Sequence, residues 1–339
     1  MAAPVSPSEP LTFGETAARL GRWVREEPLQ AALLAASLGT LCYFFGWASL
    51  WVNASQSTAR WAWTAWAGEQ VHGRLILPIS IVLTWLQKDK ILAAPKQGSS
   101  AGIFHLLIGV LFFVVGARCL QPRLALVSLP FLIYGTTLFL WGKAVARLIL
   151  FPVVFLVFMI PVAAMEQATF QLQFIITNTI AFLSKLIGIS IQAVGTTLTA
   201  RDGSFDFEIA EGCSGVRSLA AMSMLTAVYV HLTQDTLWKK VVIFGASLMF
   251  AVVGNIGRLF TIILVARFIN PHFAGDIYHD YSGFLFFPVG VLAMTGFARL
   301  VNADWKQYVT PAPATASEPK QTTPSEATQP KASPISYDY

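Results

Sequence analysis

The sequence predicts an all-α polytopic membrane protein with about eight transmembrane helices and one small extracytoplasmic β-hairpin. The chain has 339 residues, of which 55% are hydrophobic and only 12% are charged. A soluble domain carries about 25% charged residues, so this chain lacks the charge that a solvated surface of its size needs. The composition therefore argues against an ordinary soluble enzyme and against a disordered chain.

Apolar runs that approach the thickness of a bilayer follow one another along the chain, since about 20 apolar residues span it. The predicted spans are 30–51, 73–87, 101–117, 124–141, 148–164, 215–233, 241–266 and 282–302. The second run is short. The segment 168–194 is apolar but interrupted by glutamine, asparagine and lysine, and we interpret it as an interfacial or re-entrant helix.

The basic residues predict the orientation of these spans. The loops at 88–96 and 239–240 are rich in lysine, and three arginines precede the first span. Because positive charge collects on the cytoplasmic side, both termini are predicted to be cytoplasmic. The chain then divides into a cytoplasmic segment 1–29, a transmembrane domain 30–303 and a cytoplasmic tail 304–339. The tail is rich in proline, threonine and serine, a composition typical of disorder.

Residues 196–210 differ from the rest of the chain because apolar and polar residues alternate on both sides of Asp202-Gly203. An Asp-Gly pair between alternating stretches is a strong hairpin signal. Phe205 and Phe207 are expected to share one face of this hairpin. The topology predicts the hairpin on the outer surface, directly before the sixth predicted span.

Cys213 lies between the hairpin and that span, and Ser214 and Gly215 follow it. A glycine on either side allows a tight turn, and the positive end of a helix dipole favours a thiolate at a helix N-terminus. Two other interpretations stay open. Cys213 is either a small packed residue at a helix start or one half of a disulfide with Cys119, which is also predicted outside.

Arg258 lies inside the predicted span 241–266, three residues after Asn255. A charged residue within a span is costly and usually faces a polar cavity or a partner. Counted from Val241, Arg258 lies about 25 Å along the helix, near the outer face. Asn255 shares its side of the helix. The alternative is a structural arginine paired with a carboxylate or a lipid headgroup.

His279 lies just before the last predicted span and is also expected on the outer side. The alternative is an interfacial histidine among aromatic anchors. Two further residues are weaker candidates. His72 opens the second span from outside, where it either lines the same site or belongs to a turn. Arg217 follows Cys213 by one helical turn, where it either supports a thiolate or binds phosphate headgroups.

A thiol, a guanidinium and an imidazole are thus predicted at one membrane face, on three separate helices. A cysteine nucleophile needs a base for its proton and a donor for the developing oxyanion. Histidine suits the first role near neutral pH, and arginine suits the second. These residue types predict cysteine-peptidase or transpeptidase chemistry. The cysteine and histidine spacings match no metal site, no cofactor is predicted, and the basic clusters indicate topology rather than nucleic-acid binding.

These residues resemble the signature blocks of the exosortase/archaeosortase family of membrane cysteine transpeptidases. The blocks are Cys-Ser-Gly at 213–215, Asn-x-x-Arg at 255–258 and His-x-x-x-Gly at 279–283, in the family's order. His72-Gly73 and parts of 151–161 also look similar. The resemblance covers roughly residues 30–300.

The resemblance implies an enzyme that cleaves C-terminal sorting signals of exported proteins at the outer face of the membrane. Such a signal has a short motif, often Pro-Glu-Pro in bacteria (PEP-CTERM), then a transmembrane helix and a basic tail. The new carboxyl end is expected to pass to a lipid or surface-polymer acceptor. Bacterial members are often encoded with exopolysaccharide genes.

By this resemblance, Cys213 is the nucleophile, Arg258 stabilises the transition state and His279 transfers the proton. The supporting residues in the matching blocks are then Asn255, His72, Ser214 and Gly215, and Arg217 is a supporting candidate from its spacing alone. A second interpretation is a non-enzymatic transporter or assembly factor for exopolysaccharide, in which Arg258 belongs to a polar pathway and Cys213 is incidental.

The predicted topology is tested by a compartment-sensitive reporter fused after residue 210. We expect the reporter to be active only outside the cytoplasm, because an odd number of predicted spans precedes it. A fusion after residue 238 is the matched control and is expected in the cytoplasm. Cytoplasmic activity of the first fusion contradicts the topology.

Overall fold

The computed structural model describes residues 12–47, 57–67, 71–161, 164–208 and 215–303, and most of them are helical. The helices are α1 (Phe13–Glu26), α2 (Pro28–Leu41), α3 (Thr58–Ala65), α4 (Gly73–Leu86), α5 (Lys88–Ala93), α6 (Ala101–Arg118), α7 (Pro122–Phe155), α8 (Ala164–Leu186), α9 (Val216–Thr233), α10 (Leu237–Phe268), α11 (Pro271–Phe273) and α12 (His279–Asn302). Single π or 3₁₀ turns extend three of them, at Cys42–Trp47, Leu156–Met159 and Ala274–Tyr278.

Five helices in the described part of the chain are long and apolar enough to cross a membrane, so the protein is a multi-pass membrane protein. They are Pro28–Trp47, Ala101–Arg118, Pro122–Met159, Leu237–Phe268 and Pro271–Asn302. The prediction of about eight spans is therefore not confirmed. The predicted span at 73–87 forms a helix of only 14 residues, and the predicted span at 215–233 is helical but is not among the five.

Gly142 turns the chain back within α7. Its φ of 81° and ψ of −173° are not helical, and a side chain there would overlap the carbonyl oxygen of Gln97. Leu126 and Met159 pack in one hydrophobic cluster, although a straight helix would hold them about 50 Å apart. The helix α7 therefore consists of two antiparallel segments. Their boundary falls where the sequence predicts one span to end and another to begin.

The segment predicted as one interfacial helix at 168–194 ends as a strand instead. The helix α8 stops at Leu186, and Gly188 follows with a φ of +80°, a backbone conformation that ends helices. Ile191–Val194 then forms β1. Two of the four residues of β1 are β-branched, which favours a strand.

The predicted hairpin is part of a three-stranded antiparallel sheet with the order β1-β2-β3. The strand β2 (Thr197–Ala200) pairs on one side with β1 and on the other with β3 (Asp206–Glu208). The turn between β2 and β3 contains Asp202-Gly203, as the sequence predicts, and Gly203 has a φ of +70°. The sequence therefore located the hairpin but missed its third strand.

The sheet packs on the last third of α10. Leu198, Phe205 and the helix residues Leu259 and Ile263 belong to one buried cluster, which Ile176 of α8 completes. A helix of 32 residues is about 48 Å long, more than the roughly 30 Å of a hydrocarbon core. The end of α10 is thus long enough to leave the membrane beneath this sheet.

The helices α9, α10 and α12 pack side by side. Val230, Ile243, Met294 and Ala298 form a buried cluster near one end of the three, and the Lys239 ammonium donates a hydrogen bond to the Asn302 side-chain oxygen at 2.8 Å beyond it. The opposite end of the three helices therefore carries the start of α9, the second half of α10 and the start of α12.

The Asp202 turn is expected to loosen in acid. Hydrogen bonds from Ser204, and to a lesser extent the Arg267 guanidinium, hold the pKa of the Asp202 carboxyl below its ordinary value. A lowered pKa in the folded state stabilises the turn above the unfolded value of about 3.9, and this stabilisation is lost as the pH falls through the folded pKa. Amide hydrogen exchange of residues 200–206, corrected for intrinsic rates, should accelerate below about pH 4.

The control for this pH dependence is Asp202→Ala. This variant is expected to exchange faster at neutral pH and to show no further step in acid. If amide exchange in the variant accelerates equally below about pH 4, a group other than Asp202 causes the pH dependence.

Candidate functional site

Gly215, at the start of α9, packs closely against the middle of α10. It is the N-cap of α9 and has a left-handed φ of 81°. A Cβ atom at this position would lie 2.7 Å from the Asn255 side-chain nitrogen. Asn255 is 3% exposed. Glycine is thus required at this position by both its backbone angle and its neighbour, and the start of α9 is held against Asn255.

The Arg258 guanidinium joins α10 to α12. Its Nε donates a hydrogen bond to the Ser282 hydroxyl at 2.9 Å, and its Nη2 donates to the His279 carbonyl oxygen at 2.9 Å. The Ser282 hydroxyl donates to the same carbonyl at 3.0 Å. Arg258 is half-buried. These described bonds use two of its five N–H groups, so the guanidinium is fixed in orientation while keeping further donors.

His279 is the first residue of α12. Its Nδ1 lies 3.2 Å from Oδ1 of Asp280, and about one third of its side chain is exposed. The turn before it packs on the sheet, because a Cβ atom at Gly275 would lie 3.1 Å from the Phe207 ring. The sheet thus supports the segment that leads into His279.

A cavity of about 20 Å³ lies where these helices meet, which is room for about one water molecule. Its lining includes Ser218 and Met222 of α9, Asn255 and Arg258 of α10, and Gly283 of α12. The polar groups of Ser218, Asn255 and Arg258 therefore face one small space between three helices.

The structure brings together four of the residues that the sequence singles out. Gly215 contacts Asn255, Asn255 and Arg258 line one cavity, and Arg258 binds the His279 carbonyl. Asn255 and Arg258 are three residues apart, so they lie on the same side of α10 and both face this cavity. We call Gly215, Asn255, Arg258, His279 and Ser282 the α10 polar cluster.

Cys213 and Ser214 lie outside the described residues, so their contacts with the polar cluster are not described. Among the described residues Cys119 is a free, exposed thiol, which does not support the alternative of a disulfide with Cys213.

Arg217 and His72 are not among the residues that line this cavity. Arg217 lies in the first turn of α9 with its side chain exposed. His72 precedes α4, where Gly73 packs closely on the Trp66 ring and the Trp66 indole donates a hydrogen bond to the Met159 carbonyl at 2.7 Å. His72 therefore belongs to the part of the bundle that α4 and the end of α7 form.

Two residues of the site were missed by the sequence analysis. Ser282, which is 3% exposed, binds Arg258, and Asp280 contacts the His279 ring. A signal for Ser282 exists, because it follows His279 by three residues and so lies on the same side of a helix. Only the tertiary structure shows that its partner on α10 is Arg258.

The fold and the polar cluster define a multi-pass membrane protein with a polar site between three helices. A family model described as a transmembrane exosortase matches residues 63–296, which is more than half of the chain. The chain belongs to the exosortase family. No curated protein and no solved structure matches it.

Proposed function

We propose that the protein is a membrane cysteine transpeptidase or protease that processes C-terminal sorting signals of exported proteins. The observation that carries the proposal is the orientation of Arg258. Its guanidinium is fixed by Ser282 and the His279 carbonyl, and it lines one cavity with Asn255, which contacts Gly215. Gly215 is two residues after Cys213, and two residues of chain span at most about 7 Å.

In the proposed reaction, the Cys213 thiolate attacks the carbonyl carbon of the scissile peptide bond. A carbon–sulfur bond forms, and the carbonyl electrons move to oxygen. The Arg258 guanidinium donates hydrogen bonds to this oxyanion. A donor that is already held in place loses little orientational freedom in the transition state, and the two bonds to α12 supply that restraint.

His279 carries the proton in this proposal. It accepts the thiol proton and returns it to the leaving nitrogen as the carbon–nitrogen bond breaks, which leaves a thioester on Cys213. Asp280, 3.2 Å from the ring, orients the imidazole. The thioester is then resolved either by water or by a nucleophile on a lipid or surface-polymer acceptor.

The proposed substrate is an exported protein with a short PEP-CTERM-like motif, a transmembrane helix and a basic tail. Such a helix presents its scissile bond at the membrane surface. We place the site at the periplasmic face of the inner membrane, because the basic loops predict the opposite face to be cytoplasmic.

Replacing Cys213 by alanine is expected to abolish processing. The thiolate forms the covalent bond, so cleavage of a tagged sorting-signal substrate should fall below detection while the variant still accumulates in the membrane. Immunoblots of precursor and product measure both quantities. The matched controls are Cys42→Ala and Cys119→Ala, because both thiols are free and exposed. Normal processing by Cys213→Ala would contradict the proposed enzymatic function and favour a transporter or assembly factor.

Arg258→Gln is expected to slow processing by about 10²–10³-fold, the effect of losing one oxyanion donor. Ser282→Ala is expected to give a smaller loss, since it removes only the bond that positions Nε. Thr295→Ala on the same helix is the control, because Thr295 bonds only its own helix in the described contacts. The initial rate of product formation in membranes is the measurement, and an Arg258→Gln rate equal to the control would overturn this role.

A further inference from the structure

Two cavities lie at the other end of the molecule from the α10 polar cluster. His231, near the end of α9, stacks on Phe151 at 3.7 Å between ring centroids. Met159 belongs to the same buried cluster as Met224, which lies closer to the start of α9. The second segment of α7 therefore runs antiparallel to α9. It begins near Gly142, at the end of the bundle that lies farthest from Gly215. The amphipathic helix α1 lies at this end, since Trp23 contacts Trp141 with centroids 5.9 Å apart.

The position of α1 is that of a helix at a membrane surface. Only Glu27 separates α1 from α2, the first candidate span. Phe13, Leu20 and Val24 lie along one side of α1 and its arginines along the other, as in helices that lie in the membrane interface. A capping box between Thr12 and Glu15 fixes its first turn.

Two cavities meet beneath α1. One has about 350 Å³ and is lined by the cationic residues Arg19, Arg22 and Lys96, with Glu26 as the one carboxylate. The other has about 480 Å³ and is bounded mainly by apolar side chains of α4 and α7. Five residues line both cavities: Leu20, Ile91, Leu92, Trp141 and Val145.

We propose that these two cavities bind one anionic phospholipid of the cytoplasmic leaflet. The phosphate lies among Arg19, Arg22 and Lys96, and an acyl chain occupies the apolar cavity. Three cations against one carboxylate complement a negatively charged headgroup, and both volumes are in the range of ligand pockets. An amphiphile is favoured over a soluble anion because the cationic cavity shares its wall with an apolar one between membrane helices.

Trp23 supports the same assignment. Its indole nitrogen is buried and finds no hydrogen-bond acceptor among the described residues, and Trp23 lines the cationic cavity. A buried donor without an acceptor is costly. A phosphate or ester oxygen of a lipid headgroup supplies an acceptor at this place. The Lys96 ammonium, 6.0 Å from the Trp23 ring, adds charge beside it.

The orientation predicted from the sequence places this site in the cytoplasmic leaflet. Lys88, Lys90 and Lys96 and the arginines of α1 lie at this end, where positive charge is expected on the cytoplasmic side. Anionic lipids are a source of negative surface potential there. The proposal does not depend on the chemistry of Cys213.

The test uses the full chain purified in a neutral detergent. Binding of phosphatidylglycerol, phosphatidylcholine and inorganic phosphate is measured by native mass spectrometry and by thermal stability. We expect phosphatidylglycerol to bind and to raise the Tm, and the double variant Arg22→Gln/Lys96→Gln to weaken its affinity on the order of tenfold or more. Arg60→Gln/Arg118→Gln removes two exposed arginines elsewhere and is expected to bind as the wild type does.

A second variant separates a lipid from a free anion. Leu20 lines both cavities, and its side chain is half-exposed on α1. The larger side chain of Leu20→Trp should fill part of both cavities and so reduce phosphatidylglycerol binding. Val24→Trp, on the same helix but not among the lining residues, is its control. Equal binding of phosphatidylcholine, an equal effect of inorganic phosphate, or full phosphatidylglycerol binding by both the Leu20 and the double variants would overturn the proposal.

Discussion

The polar site depends on the two hydrogen bonds from Arg258 to α12. A guanidinium within a long apolar helix is costly unless its N–H groups find acceptors. Ser282 and the His279 carbonyl supply them, and each hydrogen bond to a charged group is worth about 1.5–3 kcal/mol. The need to satisfy this one charge therefore fixes the register of α10 against the start of α12.

A glycine makes the close packing on the other side of the site possible. Gly215 lets the start of α9 approach the Asn255 amide, and a Cβ atom there would be too close. At Gly283, by contrast, a Cβ atom would lie 4.0 Å from the Arg258 guanidinium carbon, which is an ordinary van der Waals contact. The close approach of α9 to Asn255, beside the cavity of about 20 Å³, therefore depends on the absence of a side chain at Gly215.

The two ends of the molecule differ in their chemistry. At one end, a sheet and α8 cover the final turns of α10 and position the segment before His279. At the other end, basic residues and tryptophans surround the junction of α1 with the membrane helices. A membrane protein cannot turn over in the bilayer, so each end always faces the same side of the membrane. The two ends can therefore carry different chemistry. The proposed reaction and the proposed lipid thus lie on opposite sides.

The sequence by itself determined the membrane class, the Asp202-Gly203 turn and four members of the polar cluster, which are Gly215, Asn255, Arg258 and His279. These follow from local composition and spacing: apolar runs, an Asp-Gly pair between alternating residues, and a charge within a span. It did not determine the third strand, the reversal within α7 or the binding of Arg258 by Ser282. Those features depend on Gly188, Gly142 and a contact between residues 24 positions apart. Local pattern cannot reveal which helix supplies an acceptor to a buried charge, because that choice is made only when the helices pack.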